Sequence, residues 1–166
     1  MGKKIDLATV KAVVGTFYPD PYDKPCRARS RQRLGDVAGL TQFGVNLTRI
    51  PPGTWSSQRH FHTHEDEFVF IVSGELVLVT NAGEEIMRAG DAAGFKAGEQ
   101  DGHHLQNRSD QDAVILEIGT RAPNAADMAH YPGLDLVARA DGRPAMYTHK
   151  DNTPYKDIRR RGPGDA

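Results

Sequence analysis

Cysteine is almost missing from this 166-residue chain: Cys26 stands alone, so no disulfide can close within it. That excludes a disulfide-stapled secreted scaffold and fits a reducing compartment. Long apolar runs are missing too. No stretch of 18 apolar residues could cross a bilayer as a helix, and the opening MGKKIDLATVKAVVG lacks the apolar segment of a secretory leader. Charge of one sign is absent as well. A net charge of −1 leaves no electrostatic footprint for nucleic acid or a membrane surface. The expectation is a soluble, cytoplasmic, single-domain protein. Long amphipathic heptads are also lacking. In their place are 17 glycines and 10 prolines, about one residue in six, a turn-rich balance that favours β architecture.

The strands implied by this balance are short and regularly spaced. TQFGVNLTRI (41–50) alternates Phe43, Val45 and Leu47 in one register before the PPG stop. Residues 55–62 form the next expected strand, followed by EFVFIV (67–72), ELVLVT (75–80) and EIMRA (85–89), the last two joined by a NAGE turn that signals a hairpin. The pieces AAGF and HLQN and the run AVILEIGT (113–120) complete at least seven strands, the pattern of a sandwich or barrel. Before them, IDLATVKAVVG (5–15) suggests a short helix with Leu7, Val10 and Val14 on one side and Gly15 as its stop. FYPDPYDKP (17–25) reads as an extended arm. RARSRQRLGD (27–36), with four arginines, reads as a solvated strand edge or loop, or else an anion- or partner-binding patch. After Thr120, turn-rich sequence with apolar islands LDLV and AMY suggests an arm wrapping the barrel or a neighbouring subunit, ending in a frayed RRRGPGDA tail with solvated arginines.

Chemistry concentrates in two glycine-bounded stretches. In GTWSSQRHFHTHEDEFVFIVSGE, His60 and His62 alternate, so on a strand they share a face at roughly 6–7 Å. Glu67 opens the next strand, and Gly74 closes it. In GDAAGFKAGEQDGHHLQN, His103 and His104 follow a second glycine-rich loop. Two or three imidazoles and one carboxylate suit a borderline or moderately hard divalent metal rather than a thiolate site.

These motifs resemble those of the cupins, whose first motif runs G-x5-H-x-H-x(3,4)-E-x6-G and second G-x5-P-x-G-x2-H-x3-N. Gly53, His60, His62, Glu67 and Gly74 match the first, with one extra residue between Gly53 and His60. Gly90, Gly98, His103 and Asn107 match the second, with Lys96 in place of proline and four residues instead of two between Gly98 and His103. That insertion leaves His103 and His104 both open as ligands, though the step to Asn107 favours His103.

The resemblance implies an all-β, double-stranded β-helix (a cupin or jelly-roll barrel) over 41–120. An arm spanning 1–40 would precede it and another, with the tail, would follow over 121–166. It implies one divalent transition metal (Fe, Mn, Ni, Co, Cu or Zn) held by His60, His62, Glu67 and His103, with two positions left for ligands.

Alternation along the strands adds pocket candidates. Gln58 shares the expected face of the two histidines, and Val69 and Ile71 share that of Glu67, so all three line the cavity; His104 belongs at its rim. Phe68 and Phe70 face away, against arms or a second subunit, which predicts a homodimer. Glu117 faces solvent if Val114, Leu116 and Ile118 point inward; in the other register it is a second carboxylate in the barrel, a candidate general acid or base. His64 lies in a turn and His130 and His149 lie in arms, where surface roles are expected. Cys26 is a weak candidate nucleophile.

Function stays open among three readings. The first is a metal-dependent enzyme on a small organic substrate, of dioxygenase type or isomerase/lyase type. The second is a non-catalytic small-molecule or metal-sensing module. A DNA-binding regulator is disfavoured, because the 40 residues before the barrel are too few and too rich in proline for a helix-turn-helix. The third, a storage role, goes with duplicated barrels and is disfavoured by a single one.

Overall fold

The computed structural model describes every residue except 1, 3, 124–125, 140–145 and 166. Strand β1 (Val13–Val14) pairs antiparallel with β2 (Ser30–Arg33), and β2 pairs along its length with β3 (Phe43–Ile50). A single helical turn, α1 (Leu34–Val37), lies between β2 and β3. Beyond β3 come β4 (Phe61–His62), β5 (Glu67–Ser73), β6 (Glu75–Thr80), β7 (Gly83–Arg88), β8 (Ala92–Phe95), β9 (His104–Gln106) and β10 (Ala113–Thr120). The C-terminal arm adds β11 (Met128–His130), β12 (Val137–Arg139) and β13 (Met146–Thr148). Of the expected AMY island, Ala145 lies outside the described residues.

Three sheets result: β1-β2-β3-β10-β5-β8, β7-β6-β9, and β13-β12-β11-β4. The first two face each other as the walls of a double-stranded β-helix and enclose Ile50, Val69, Ile71, Leu76, Leu78, Met87, Leu105, Ala113 and Ile115. Ile71 and Ile115 are register partners and fully buried, each contributing about 1.5–3 kcal/mol of transfer free energy. Gly74 turns the chain from β5 into β6 at φ 81°, where a Cβ would come within 2.7 Å of Ala113 Cα. Only glycine fits that corner. A second core, under the C-terminal sheet, joins Tyr18 and Cys26 to Ala129, Tyr131, Leu136, Ala138 and Tyr147. Among the described residues no helix is long and apolar enough to cross a membrane.

Several expectations are corrected. Residues 5–15 hold only a 3-10 turn, Leu7–Thr9, capped by Asp6, before β1. So short a run rich in β-branched residues cannot sustain a helix when Val13 and Val14 find a strand partner in Arg31 and Ser30. Residues 55–62 are not one continuous strand. Isolated bridges Trp55–Gln106 and His60–His103 tie them to the chain around β9, because the Ser56 hydroxyl accepts the Leu105 N–H and breaks the ladder.

The tail is not frayed at Arg161. Its backbone exchanges two hydrogen bonds with Thr16, and its buried guanidinium lies 2.5 Å from Asp157 and 3.8 Å from the buried Asp23. On β3 the inward face belongs to Gly44, Asn46 and Thr48, so Phe43, Val45 and Leu47 are turned outward.

Candidate metal centre

The bridge between His60 and His103 brings the two histidine stretches together, and the start of β5 delivers Glu67 between them. One oxygen of Glu67, Oε2, lies 2.9 Å from His103 Nε2 and 3.5 Å from Nε2 of both His60 and His62. One ligand atom each from His60, His62 and Glu67 lie within 4.8 Å of one another. Each imidazole is locked by its other nitrogen. His60 Nδ1 donates to the Gln58 carbonyl at 2.9 Å, His103 Nδ1 to the Asp101 carbonyl at 3.3 Å, and His62 Nδ1 to Asp127 Oδ2 at 2.5 Å. Packing fixes the ring planes: His103 lies flat on Phe95 at 3.5 Å, and His60 stacks on Tyr131 at 5.6 Å.

With every Nδ1 turned outward, three Nε2 atoms and a carboxylate oxygen converge on one point. In the neutral imidazoles each Nε2 presents a lone pair, and three imidazoles with one carboxylate is a donor set for a divalent transition metal. His60, His62, Glu67 and His103 could together hold such an ion.

In the metal-free protein the groups divide sharply. Burial drives the His60 pKa down to about 3. For His62 burial also pulls downward, but the Asp127 hydrogen bond and the charges of Glu67, Asp127 and Glu65 outweigh it and raise the pKa to about 9. Glu67 is opposed by burial yet held well below the usual carboxylate range by the His103 hydrogen bond and the surrounding imidazoles.

These four side chains open onto a cavity of about 410 Å³ walled by β2, β3, β5 and β10. Val69 lines its edge as expected, but the expectation for Ile71 is corrected: it is fully buried in the core against its register partner Ile115 and does not reach the cavity. Glu117 takes the inward register. Its neighbours Ala113 and Ile115 are buried, and its carboxylate accepts from Thr48 Oγ1 at 2.7 Å and from Arg31 at 2.9 and 3.1 Å. The solvent-facing alternative, with Val114, Leu116 and Ile118 inward, is therefore overturned.

Gln58 is also corrected. It is buried, but its amide donates to the Tyr22 carbonyl at 2.6 Å and does not line the cavity, because the irregular backbone of 55–60 defeats simple alternation. His104 is buried rather than outward. It packs against Trp55 at 4.8 Å, donates to the Ser57 carbonyl, and has its pKa lowered to about 4 by burial; it lines the cavity away from Glu67. His64 is exposed, His130 stacks on Phe61, and His149 pairs with Asp135. Burial pushes the Cys26 thiol up to about 11, which leaves it protonated and inert.

A model of the cupin domain family matches residues 46–119. No match is found among curated proteins. Among solved structures, the sugar phosphate isomerase of the cupin superfamily from Silicibacter pomeroyi is 42% identical, with 93% of this chain and 97% of that one covered at a TM-score of 0.87. This chain is a cupin. More distant cupin-like folds include the polyketide cyclase RemF from Streptomyces resistomycificus (20% identity, 81% and 87% covered, TM-score 0.61). A predicted oxalate decarboxylase from Thermotoga maritima shares the fold at 17% identity (72% and 100% covered, TM-score 0.57).

One residue of this cupin's site escaped the sequence reading. Asp127, just before β11, is 2% exposed and accepts from His62, from the His64 N–H at 2.9 Å and from Thr63 Oγ1 at 3.3 Å. Pairing of Ala129 with His62 in the β4–β11 ladder holds it there. Nothing in the local sequence AADMAH marks it. Only the topology, which returns the arm to β4, does so.

Proposed function

We propose that this cupin is a metal-dependent isomerase acting on a phosphorylated sugar. The observation that carries the reading is the convergence of His60, His62, His103 and Glu67 at one end of a cavity that also holds a second carboxylate, Glu117. The near full-length likeness to the Silicibacter pomeroyi sugar phosphate isomerase supports the substrate class.

A divalent metal held by the four ligands supplies Lewis acidity toward a carbonyl or hydroxyl oxygen. The chain's own residues supply the remainder. Glu117 stands on the strand next to Glu67: Gly119 is the register partner of Glu67 and Glu117 that of Val69. From there its carboxylate takes the proton from the carbon beside the substrate carbonyl and returns it to the former carbonyl carbon, while the hydroxyl proton on the first carbon passes to the carbonyl oxygen in the same direction. Aldose and ketose interconvert with no net oxidation, so no co-substrate is consumed. Arg31 and Thr48 hold the Glu117 oxygens in place through this exchange. Val69 and Phe95 keep the inner end of the cavity apolar and restrict water.

The test is proton exchange. Protein loaded in turn with Mn, Fe, Co, Ni or Zn is incubated in D₂O with a panel of aldose phosphates, and deuterium at C1 of the ketose and at C2 of the re-formed aldose is followed by NMR. The expected result is deuterium incorporation with ketose formation and no oxygen uptake. Glu117→Gln should lower kcat by about 10²- to 10⁴-fold with a smaller change in KM. Oxygen consumption without exchange, or exchange unaffected in Glu117→Gln, would overturn the assignment.

A further inference from the structure

Arg29, Arg31 and Arg33 occupy alternate positions running into and along β2, so their side chains share the inward face, and all three line the cavity. Their exposure rises toward the rim: Arg29 is half-buried, Arg31 is 32% exposed and Arg33 58%.

Among the described residues only two carboxylates answer them. Glu117 is bound to Arg31, while Asp36, 3.8 Å from Arg33, is shared with Arg121 at 2.5 Å. Arg29 spends its guanidinium on the Ser56 carbonyl and Thr16 Oγ1. The other acids along the cavity, Glu65 and Glu67, belong to the metal end. This wall therefore carries surplus positive charge facing a cavity.

The floor between the two ends is bare only in the row of Glu67, since the row of Arg33 carries Asn46 and Glu117. From β2 to β5 the sheet crosses three strand spacings, about 14 Å. The two inward positions between them in the row of Glu67 are Gly44 and Gly119, register partners with no side chain to fill the space.

We propose that Arg33, backed by Arg31 and Arg29, forms a subsite for the phosphate group of the substrate. The group would lie across the glycine floor from His60, His62, His103 and Glu67. Planar guanidinium groups bind a phosphate dianion by paired, charge-assisted hydrogen bonds, and a dianion neutralises the surplus on this wall. The subsite rests on the isomerase reading for its substrate and fixes the orientation: phosphate at the arginine rim, carbonyl at the metal end.

The test measures binding of inorganic phosphate by calorimetry to the metal-loaded wild type, Arg33→Gln, Arg33→Lys and Arg33→Glu. It also measures metal-free His62→Ala, with glycerol and glycerol phosphate as a neutral and charged pair. Expected results are saturable binding of phosphate and glycerol phosphate but not glycerol, and weakening by about tenfold in Arg33→Gln and about a hundredfold in Arg33→Glu. Arg33→Lys should be partly restored and His62→Ala unimpaired. Affinity unchanged in Arg33→Glu, loss of phosphate in His62→Ala, or no phosphate binding by the wild type would overturn the subsite. Phosphate binding without isomerisation would fail the enzymatic reading alone. Isomerisation whose KM ignores Arg33 would fail the subsite alone.

Discussion

Replacing Asp127 by asparagine keeps the shape of the side chain and removes one acceptor and one charge. In the folded protein the two Asp127 oxygens receive three donors: His62 Nδ1 at 2.5 Å, the His64 N–H at 2.9 Å and Thr63 Oγ1 at 3.3 Å. An amide offers one oxygen, so its NH₂ must turn toward either His62 or the His64 N–H, both of which are donors. Whichever way it turns, either His62 loses the bond that orients its ring or a backbone N–H in the turn is left unpaired. A lost charge-assisted hydrogen bond is worth about 1.5–3 kcal/mol. Where the partner orients a metal ligand, the expected effect is about 10- to 100-fold weaker metal binding. Competition with a chromophoric chelator measures it, using Zn or Co, with circular dichroism to establish that the β signature persists. His62→Ala is the reference at the far end and should retain no stoichiometric metal. If Asp127→Asn binds within twofold of wild type while folded, the carboxylate does not orient His62 and the reasoning fails.

The remaining predictions concern the metal-free protein and its surfaces. His60, with its pKa lowered to about 3, opposes folding as pH falls below its unfolded value of 6.5, whereas His62, raised to about 9, contributes stability that is full below 6.5 and lost as pH rises toward 9. Glu67, depressed, adds a loss as pH drops below the ordinary carboxylate range. Melting of the chelator-treated protein should therefore peak near pH 6.5, and a Tm flat from pH 5 to 9 would contradict this. Arg161→Ala should cost about 3 kcal/mol by stripping a buried charge from Asp23 and Asp157, with Arg27 limiting the damage at Asp23. A calorimetric Tm drop of about 6–12 °C checks it, and no change would restore the frayed tail. Phe43, Phe68, Phe70 and Val72 are 39, 42, 38 and 46% exposed on the outer face of the six-stranded sheet, and a second copy of the chain is expected to cover them. Light scattering should find a dimer that Phe68→Lys/Phe70→Lys dissociates, and a wild-type monomer at micromolar concentration would sink the idea.

Legibility in the sequence followed the local signals. The segments ELVLVT and AVILEIGT coincide with β6 and β10, and the alternation of EFVFIV buries Val69 and Ile71 while leaving Phe68 and Phe70 outside. His60, His62, Glu67 and His103 were legible because their spacing survives without tertiary information. Gln58 was misjudged because its backbone is not a regular strand. On β3 the alternation gave the register but not its direction: the inside here is a polar cavity, and the apolar set of Phe43, Val45 and Leu47 faces out. Glu117 turns inward by the same inversion.

The arms carry the deeper lesson. Asp127 lies 65 residues from the histidine it orients, and Arg161 comes from the last few residues to lie beside the buried Asp23. Neither has a motif, since each acquires its role only from where short pairings deliver it: β4 with β11 for the first, Thr16 with Arg161 for the second. The barrel by itself offers four ligands and an open mouth, a geometry that many chemistries can occupy. What narrows the choice here lies in the added segments. β2 turns three arginines inward along one wall, and the C-terminal sheet clamps His62 from behind. On the proposed reading, a specificity change is expected from altering β2 while His60, His62, Glu67 and His103 stay fixed, because β2 carries the positive charge that faces the cavity.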